Sequence, residues 1–292
     1  MPFTPDPDHP PRTRASLTHD LTALGVRPAD TLLVHSSLRS LGWVCGGAPA
    51  VIQALTDAIG PEGTLAAPTQ TMDNSDPAHW SAPAVPASWW PTIREHSPAY
   101  DPQVTPTGGM GRIPETLRTW SGATRSAHPQ TSFAALGPRA DTLTRDHPLH
   151  CALGERSPLA RLERAHARVL LLGVGYASCT AFHLAEYLLP QPATGPSSCA
   201  VLRPDRTRAW VTYTDVILDS ADFDDLGAAF EATGAVTTGQ VGQARARLFS
   251  LPRAVAFAHA WMSQHRSAPP PPTGTPAPRT PPRTRPHPPS TR

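Results

Sequence analysis

The stretch that most constrains this 292-residue chain is Val169-Leu-Leu-Leu-Gly-Val174 together with the turn behind it. So dense an apolar run reads as a fully buried strand, which needs cover on both faces. Gly173 and Gly175 break the strand, and Ser178 or Thr180 can cap the helix that starts next. On that helix Thr180, His183 and Glu186 recur every three residues, so their side chains share one face. Cys179 sits one turn before His183 and to the side. A basic nitrogen, a carboxylate to hold it and a hydroxyl at a strand-to-helix junction are the parts of a general-base site. The plainer alternative is a solvated His–Glu pair, worth about 0.2–0.5 kcal/mol.

The length allows one large α/β domain or two small ones. All 25 basic residues are Arg, and four of them lie in the acid-free segment 267–292. The remainder carries 21 Arg against 23 Asp and Glu, a net of −2, which argues against a nucleic-acid binder and suits a cationic ligand. Cys45, Cys151, Cys179 and Cys199 are widely spaced, without a CxxC or Cys/His metal pattern, so free thiols and no metal are expected. Neither a secretory leader nor a membrane span is visible, and a cytoplasmic protein is the expectation.

In chain order, residues 1–12 are Pro-rich and read as disordered. Leu17, Leu21 and Leu24 predict a helix over 13–24, followed by a buried strand over 31–34, a helix over 49–59 and a strand over 63–67. The polar 35–47 loop offers Ser36 and Ser37 hydroxyls, backbone N–H groups and Arg39 to an anion, or is an ordinary Ser-rich loop. Residues 68–130 show little regular pattern. There Asp73, Asn74, Asp76 and the pair Trp89-Trp90 suggest a ligand-binding excursion or a Trp-anchored structural loop. The Gly loop 105–115 leads into a helix over 114–119 and is a second possible anion cradle. Further expectations are a short helix over 157–163, a hairpin of 200–203 with 209–213, a helix over 226–232, an apolar stretch 244–251 and a last helix over 253–265. The acid-dense 219–225 loop reads as a solvated helix N-terminus, with amine docking as a lesser alternative. Segment 267–292 is Pro, Arg, Thr and Ser and reads as a disordered tail, which leaves 13–266 as the folded domain.

Several motifs occur in order over residues 14–265: Leu33-Val-His-Ser-Ser-Leu-Arg-Ser-Leu-Gly-Trp43, Gly60-Pro-Glu-Gly-Thr64, Asp73-Asn-Ser-Asp-Pro77, Gly109-Met-Gly-Arg-Ile-Pro-Glu115, Arg125-Ser-Ala-His-Pro129, Leu170-Leu-Leu-Gly-Val174 and His183-Leu-Ala-Glu-Tyr187. With them the chain resembles the aminoglycoside N(3)-acetyltransferase family. The resemblance implies an α/β fold with a mixed central sheet flanked by helices, distinct from the GNAT fold. It implies His183 as the base, Glu186 beside it and Thr180 in support. The turn His35, Ser36, Ser37, Leu38 and Arg39 would hold coenzyme A, with Met110, Gly111 and Arg112, and the 125–128 segment, lining the cofactor or acetyl site. Asp73, Asn74 and Asp76 are the candidates for holding the ammonium groups of the substrate, with Glu95, Asp101 and the acids of 219–225 also available.

The implied activity is acetyl transfer from acetyl-coenzyme A to the 3-amino group of an aminoglycoside antibiotic, by direct attack and without a metal. An amine is mostly protonated at neutral pH, so a base is required, and free imidazole at about 6.5 is in range. Antibiotic resistance goes with that reading; the alternatives are acetylation of another small amine in a biosynthetic pathway, a thioester hydrolase, and a non-catalytic binder. One residue departs from the family pattern: Cys179 stands where Asn is expected. It opens a covalent route through an acetylated thiol.

Overall fold

In the computed structural model, which describes residues 10–81 and 83–266, the apolar runs assemble into one covered sheet. In chain order the strands are β1 (Thr31–Ser36), β2 (Thr64–Pro68), β3 (Thr124–Arg125), β4 (Phe133–Leu136), β5 (Arg168–Leu172), β6 (Thr194–Leu202), β7 (Arg208–Val216), β8 (Val236–Val241) and β9 (Ala244–Ser250). The helices are α1 (Arg14–Leu24), α2 (Gly47–Ile59), α3 (Trp90–His96), α4 (Arg112–Arg118), α5 (Ala140–Thr144), α6 (Pro158–Arg164), α7 (Ala181–Leu188), α8 (Phe223–Ala232) and α9 (Leu251–His265). Seven strands lie in the order β3-β4-β2-β1-β5-β9-β8, while β6 and β7 form a separate hairpin. Strand β1 runs parallel to both β2 and β5, and the remaining neighbours pair antiparallel, so the sheet is mixed.

The alternation of side chains along each strand builds two cores. Leu33, Val169, Leu171 and Phe249 pack against α5 to α9 on one face. Leu32, Val34, Leu170, Leu172 and Leu248 pack against α1, α2 and α4 on the other. Burying each such side chain stabilises the fold by about 1.5–3 kcal/mol. The 169–172 run is dense because β5 is buried on both sides and paired on both edges.

Most predicted elements are present with shifted ends. Helix α1 starts at Arg14, because Thr13 forms a capping box: its hydroxyl accepts from the Ser16 N–H and its own N–H donates to Ser16 Oγ. The hairpin is longer than expected, since its outer halves carry Gly195, Pro196 and hydroxyl residues that do not look apolar. Pro196 is tolerated in a two-stranded edge arrangement. Helix α4 begins two residues earlier than predicted and α8 three. The poorly patterned 68–130 segment holds α3 and β3. Residues 1–9 and 267–292, expected as disordered, lie outside the described residues. Arg12 is bridged to Val44, its N–H donating to Trp43 O at 2.8 Å, so order begins before residue 13.

Helix α2, which connects β1 to β2, covers one face, while α5 and α6, which lead to β5, cover the other. The connections therefore part where β1 and β5 end, and such a switch point opens a crevice beyond the strand ends.

Candidate active site

The ends of β1 and β5 are tied together. The Ser37 N–H donates to Leu172 O at 2.9 Å, and the Ser40 hydroxyl donates to Gly173 O at 3.0 Å. Gly173 has φ +72°, and a Cβ there would stand 2.5 Å from the Ser40 Cβ, so only glycine permits this approach. The chain then passes through a short 3-10 turn, Tyr176–Ser178, into α7. Neither Ser178 nor Thr180 caps that helix. Thr180 is in a helical conformation, and its Oγ1 lies 3.3 Å from His35 Nε2.

Helix α7 buries Ala181, Phe182, Leu184 and Ala185, and this phase sets His183 and Glu186 toward one side. The His183 Nδ1–H donates to Glu186 Oε2 at 2.8 Å, with the two side chains only 14% and 3% exposed. The Phe223 ring lies 4.7 Å from the imidazole, centre to centre, and limits its tilt. The other carboxylate oxygen, Glu186 Oε1, accepts from the Asp219 N–H at 3.0 Å and from Arg266 Nη1–H at 2.6 Å. Arg266 also grips Asp222, through Nε at 2.8 Å and Nη2 at 2.6 Å. Its hydrogen bond to Asp222 raises the Arg266 pKa and lowers that of Asp222. The 219–225 loop is therefore only partly a solvated helix start: Asp222 meets Arg266, and Asp224 Oδ1 accepts from the Ala177 N–H at 3.1 Å.

A cavity of about 450 Å³ opens at the strand ends, lined by His35, Ser36, Met110, Thr180 and His183 among others. Burial, and then the neighbouring His183, depress the His35 pKa to about 3, so its imidazole is neutral at pH 7. Ser36 Oγ is buried without a partner, a polar atom that a ligand could satisfy. Gly109 and Gly111 face open space at the loop before α4, where backbone can approach a bound molecule. A second cavity of about 690 Å³ lies on the far side of Glu186, bordered by Asp219, Asp222, Ile217, Met262 and Arg266.

Other sequence candidates are placed elsewhere. Ser37 Oγ lies 2.9 Å from Ser40 Oγ in a hydroxyl pair, Leu38 packs against the core, and Arg39, Gly111 and Arg112 are exposed outside the cavity lining. Asp73 is exposed and outside it as well. The Asn74 amide holds β6, donating to Ala200 O and accepting from the Ala200 N–H, both at 3.0 Å. Asp76 accepts from the Ala78 N–H and pairs with Arg94 at 2.7 Å. Arg125 and His128 sit behind the wall rather than in it. Arg125 Nη2–H donates to Thr69 O at 2.6 Å; His128 Nδ1 accepts from Gln130 and Thr131 N–H while Nε2–H donates to Leu149 O. Cys179 is fully buried, its thiol pushed up to about 12 by desolvation, and it does not line the cavity.

Sequence reasoning missed Arg266, Gln70, Met72, Thr131 and Leu218 at these cavities. Met72, beside the Asp73 motif, and Thr131, just after the Arg125–Pro129 motif, had a nearby signal. Among the described residues no three His, Cys, Asp or Glu side chains gather as a metal site, and no helix is long and apolar enough to cross a membrane.

A family model described as aminoglycoside 3-N-acetyltransferase matches residues 33–263. The SPbeta prophage-derived aminoglycoside N(3')-acetyltransferase-like protein YokD of Bacillus subtilis (strain 168) is 45% identical over 258 residues, covering 88% of this chain and 94% of YokD. Its crystal structure superposes with a TM-score of 0.85 over 87% of this chain and 94% of that one. Aminoglycoside N(3)-acetyltransferase VII of Streptomyces paromomycinus is 38% identical over 273 residues, 87% of this chain and 92% of the enzyme. The structure of AAC-IIIb in a binary complex with CoASH is 32% identical, with a TM-score of 0.78 over 89% of this chain and 99% of that one.

Proposed function

Because the chain belongs to the aminoglycoside 3-N-acetyltransferase family, we propose that it transfers an acetyl group from acetyl-coenzyme A to the 3-amino group of an aminoglycoside. The observation that carries this reading is the 2.8 Å bond between His183 Nδ1 and Glu186 Oε2 at the edge of the 450 Å³ cavity. With Nδ1 committed to the carboxylate, Nε2 is the nitrogen available to an amine in the cavity. The amine lone pair attacks the thioester carbonyl, and Nε2 takes the ammonium proton as the C–N bond forms. Glu186 stabilises the resulting imidazolium. The oxyanion then reforms the carbonyl and expels the coenzyme A thiolate.

Thr180 is the hydroxyl best placed to donate to that oxyanion. Neutral His35, with Nε2–H donating to Thr180 Oγ1, would leave the threonine proton free for it. The unpartnered Ser36 hydroxyl and the open glycine backbone at 109–111 fit a coenzyme A molecule entering beside Met110. Cytoplasmic placement and a role in antibiotic resistance belong to the same reading.

One observation favours a second acceptor. Among the described residues no carboxylate lines the 450 Å³ cavity, and Asn74 and Asp76 are engaged in the loop, so a polyamine would find little anionic contact there. A less cationic amine, as in a biosynthetic acetylation, fits that lining. The test is thiol release from acetyl-coenzyme A with aminoglycosides, simple monoamines and a no-amine control, on wild type and His183→Ala. Aminoglycoside-dependent release lost in the mutant supports the first reading, and monoamine-dependent release supports the second. Release without amine, or release that survives in His183→Ala, overturns both.

A further inference from the structure

Arg266 closes the described chain and lies beyond residue 263, where the family match ends. It is 80 residues from Glu186 in sequence, yet its guanidinium is the cation that meets the carboxylate. From this geometry we infer that Arg266, balanced by Asp222, is a positioning residue that fixes the Glu186 carboxylate against His183 and sets how firmly the pair holds a proton. The inference rests on the reading of His183 as the base.

Three donors fix the carboxylate. Arg266 Nη1 and the Asp219 N–H converge on Oε1, and this leaves Oε2 to the imidazole. Arg266 is held in turn by three bonds of its own, two to Asp222 and one from Nη2 to Asp219 O at 2.8 Å. Its pKa is raised, first by the Asp222 bond, so it stays charged. Without the arginine, the charge of the carboxylate would act on the imidazolium unopposed. An unbalanced arginine would do the opposite and draw the carboxylate's charge away from His183. Asp222 offsets that pull.

The charges close. Glu186, Asp222 and Arg266 sum to −1 while His183 is neutral, and to zero once His183 is protonated. With the Asp219 carboxylate beside them, arrival of the proton lowers the net negative charge of the site instead of raising it. The Asp219 carboxylate, which accepts from the Ala221 N–H, borders the same far cavity and adds a further negative charge; the other groups facing the pair, His35 from the end of β1, the Asp219 backbone, Thr180 and Phe223, carry none. Cys179 is buried behind α7 as a thiol, and Asp224 is engaged with the Ala177 N–H.

The test follows the His183 ring by NMR titration in the free protein, so that no acceptor needs to be known, with the acid limb of the pH–rate profile as a second readout. Arg266→Gln leaves two carboxylates facing one imidazole, and the His183 midpoint moves up. Asp222→Asn leaves the arginine under-balanced, and the midpoint moves down. The two shifts are expected in opposite directions. Arg266→Lys keeps the charge and stays near the wild-type midpoint even where kcat falls. Should Arg266→Gln not fold, Asp222→Asn and Arg266→Lys decide by the same criterion. Midpoints that move together, or do not move, leave Arg266 a structural clamp and overturn the inference. Turnover that survives in His183→Ala overturns the base reading separately, because the NMR titration does not depend on activity.

Discussion

Replacing Glu186 by Gln keeps the shape of the side chain and an acceptor for His183 Nδ1–H but removes the charge. Glu186 is 3% exposed on its side chain, so solvent screens little of the effect. A hydrogen bond to a charged group contributes about 1.5–3 kcal/mol and a neutral one about 0.5–1.5, so the charge itself is worth about 1–2 kcal/mol at this bond. That increment is felt only when His183 carries the proton, which makes it a loss at the transition state. The expected result is a fall in kcat of about 5- to 30-fold, with KM for acetyl-coenzyme A little changed. On the other side of the carboxylate, Arg266 keeps Asp222 but loses its second anion, and urea unfolding should show a loss of about 1–3 kcal/mol. Thiol release read at saturating acetyl-coenzyme A, beside the unfolding curve, separates the two effects. A variant with wild-type kcat and lowered stability, against an inactive His183→Ala, would reduce Glu186 to a structural anchor and refute the reasoning.

Three further outcomes are expected. Cys179→Ala should keep its turnover, because the buried thiol is pushed to about 12 and lies off the cavity; loss of activity in a folded variant would restore the covalent route. Acid should destabilise the fold through His35, His128 and His147, whose folded values of about 3, 4 and 3 lie below the unfolded value near 6.5. Burial is the leading cause in each. Their contribution is complete above pH 6.5 and is lost as pH falls toward 4, with a slope of up to about 1.4 kcal/mol per pH unit per group, so an unfolding midpoint unchanged between pH 7.5 and 5 would contradict it. Gly227→Ala would place a Cβ 2.0 Å from Tyr176 Cγ, where α8 crosses the turn before α7. A loss of about 1–3 kcal/mol in urea unfolding is expected, and a change under about 0.5 would show that this contact yields.

What could be read from the sequence was what the chain encodes locally. The buried run at 169–172 is a property of one strand, and the His183–Glu186 pair is a property of one helix turn, so both were legible. Loop side chains were not. In the irregular 68–130 segment, backbone groups have no ladder to bond with, and side chains such as Asn74 and Asp76 are drawn in to satisfy them. From sequence, the same residues look like free ligands for an ammonium group. The reverse error concerns Asp222 and Arg266. Asp222 stands in an acid-rich loop that looks solvated, and Arg266 adjoins an arginine-bearing terminal segment that looks inert. Their meeting depends on α8 and α9 packing on α7, a tertiary event with no local pattern. The meeting of His183 with Glu186 can therefore be expected from spacing along one helix, whereas the arginine that meets the same carboxylate has to be found in the fold.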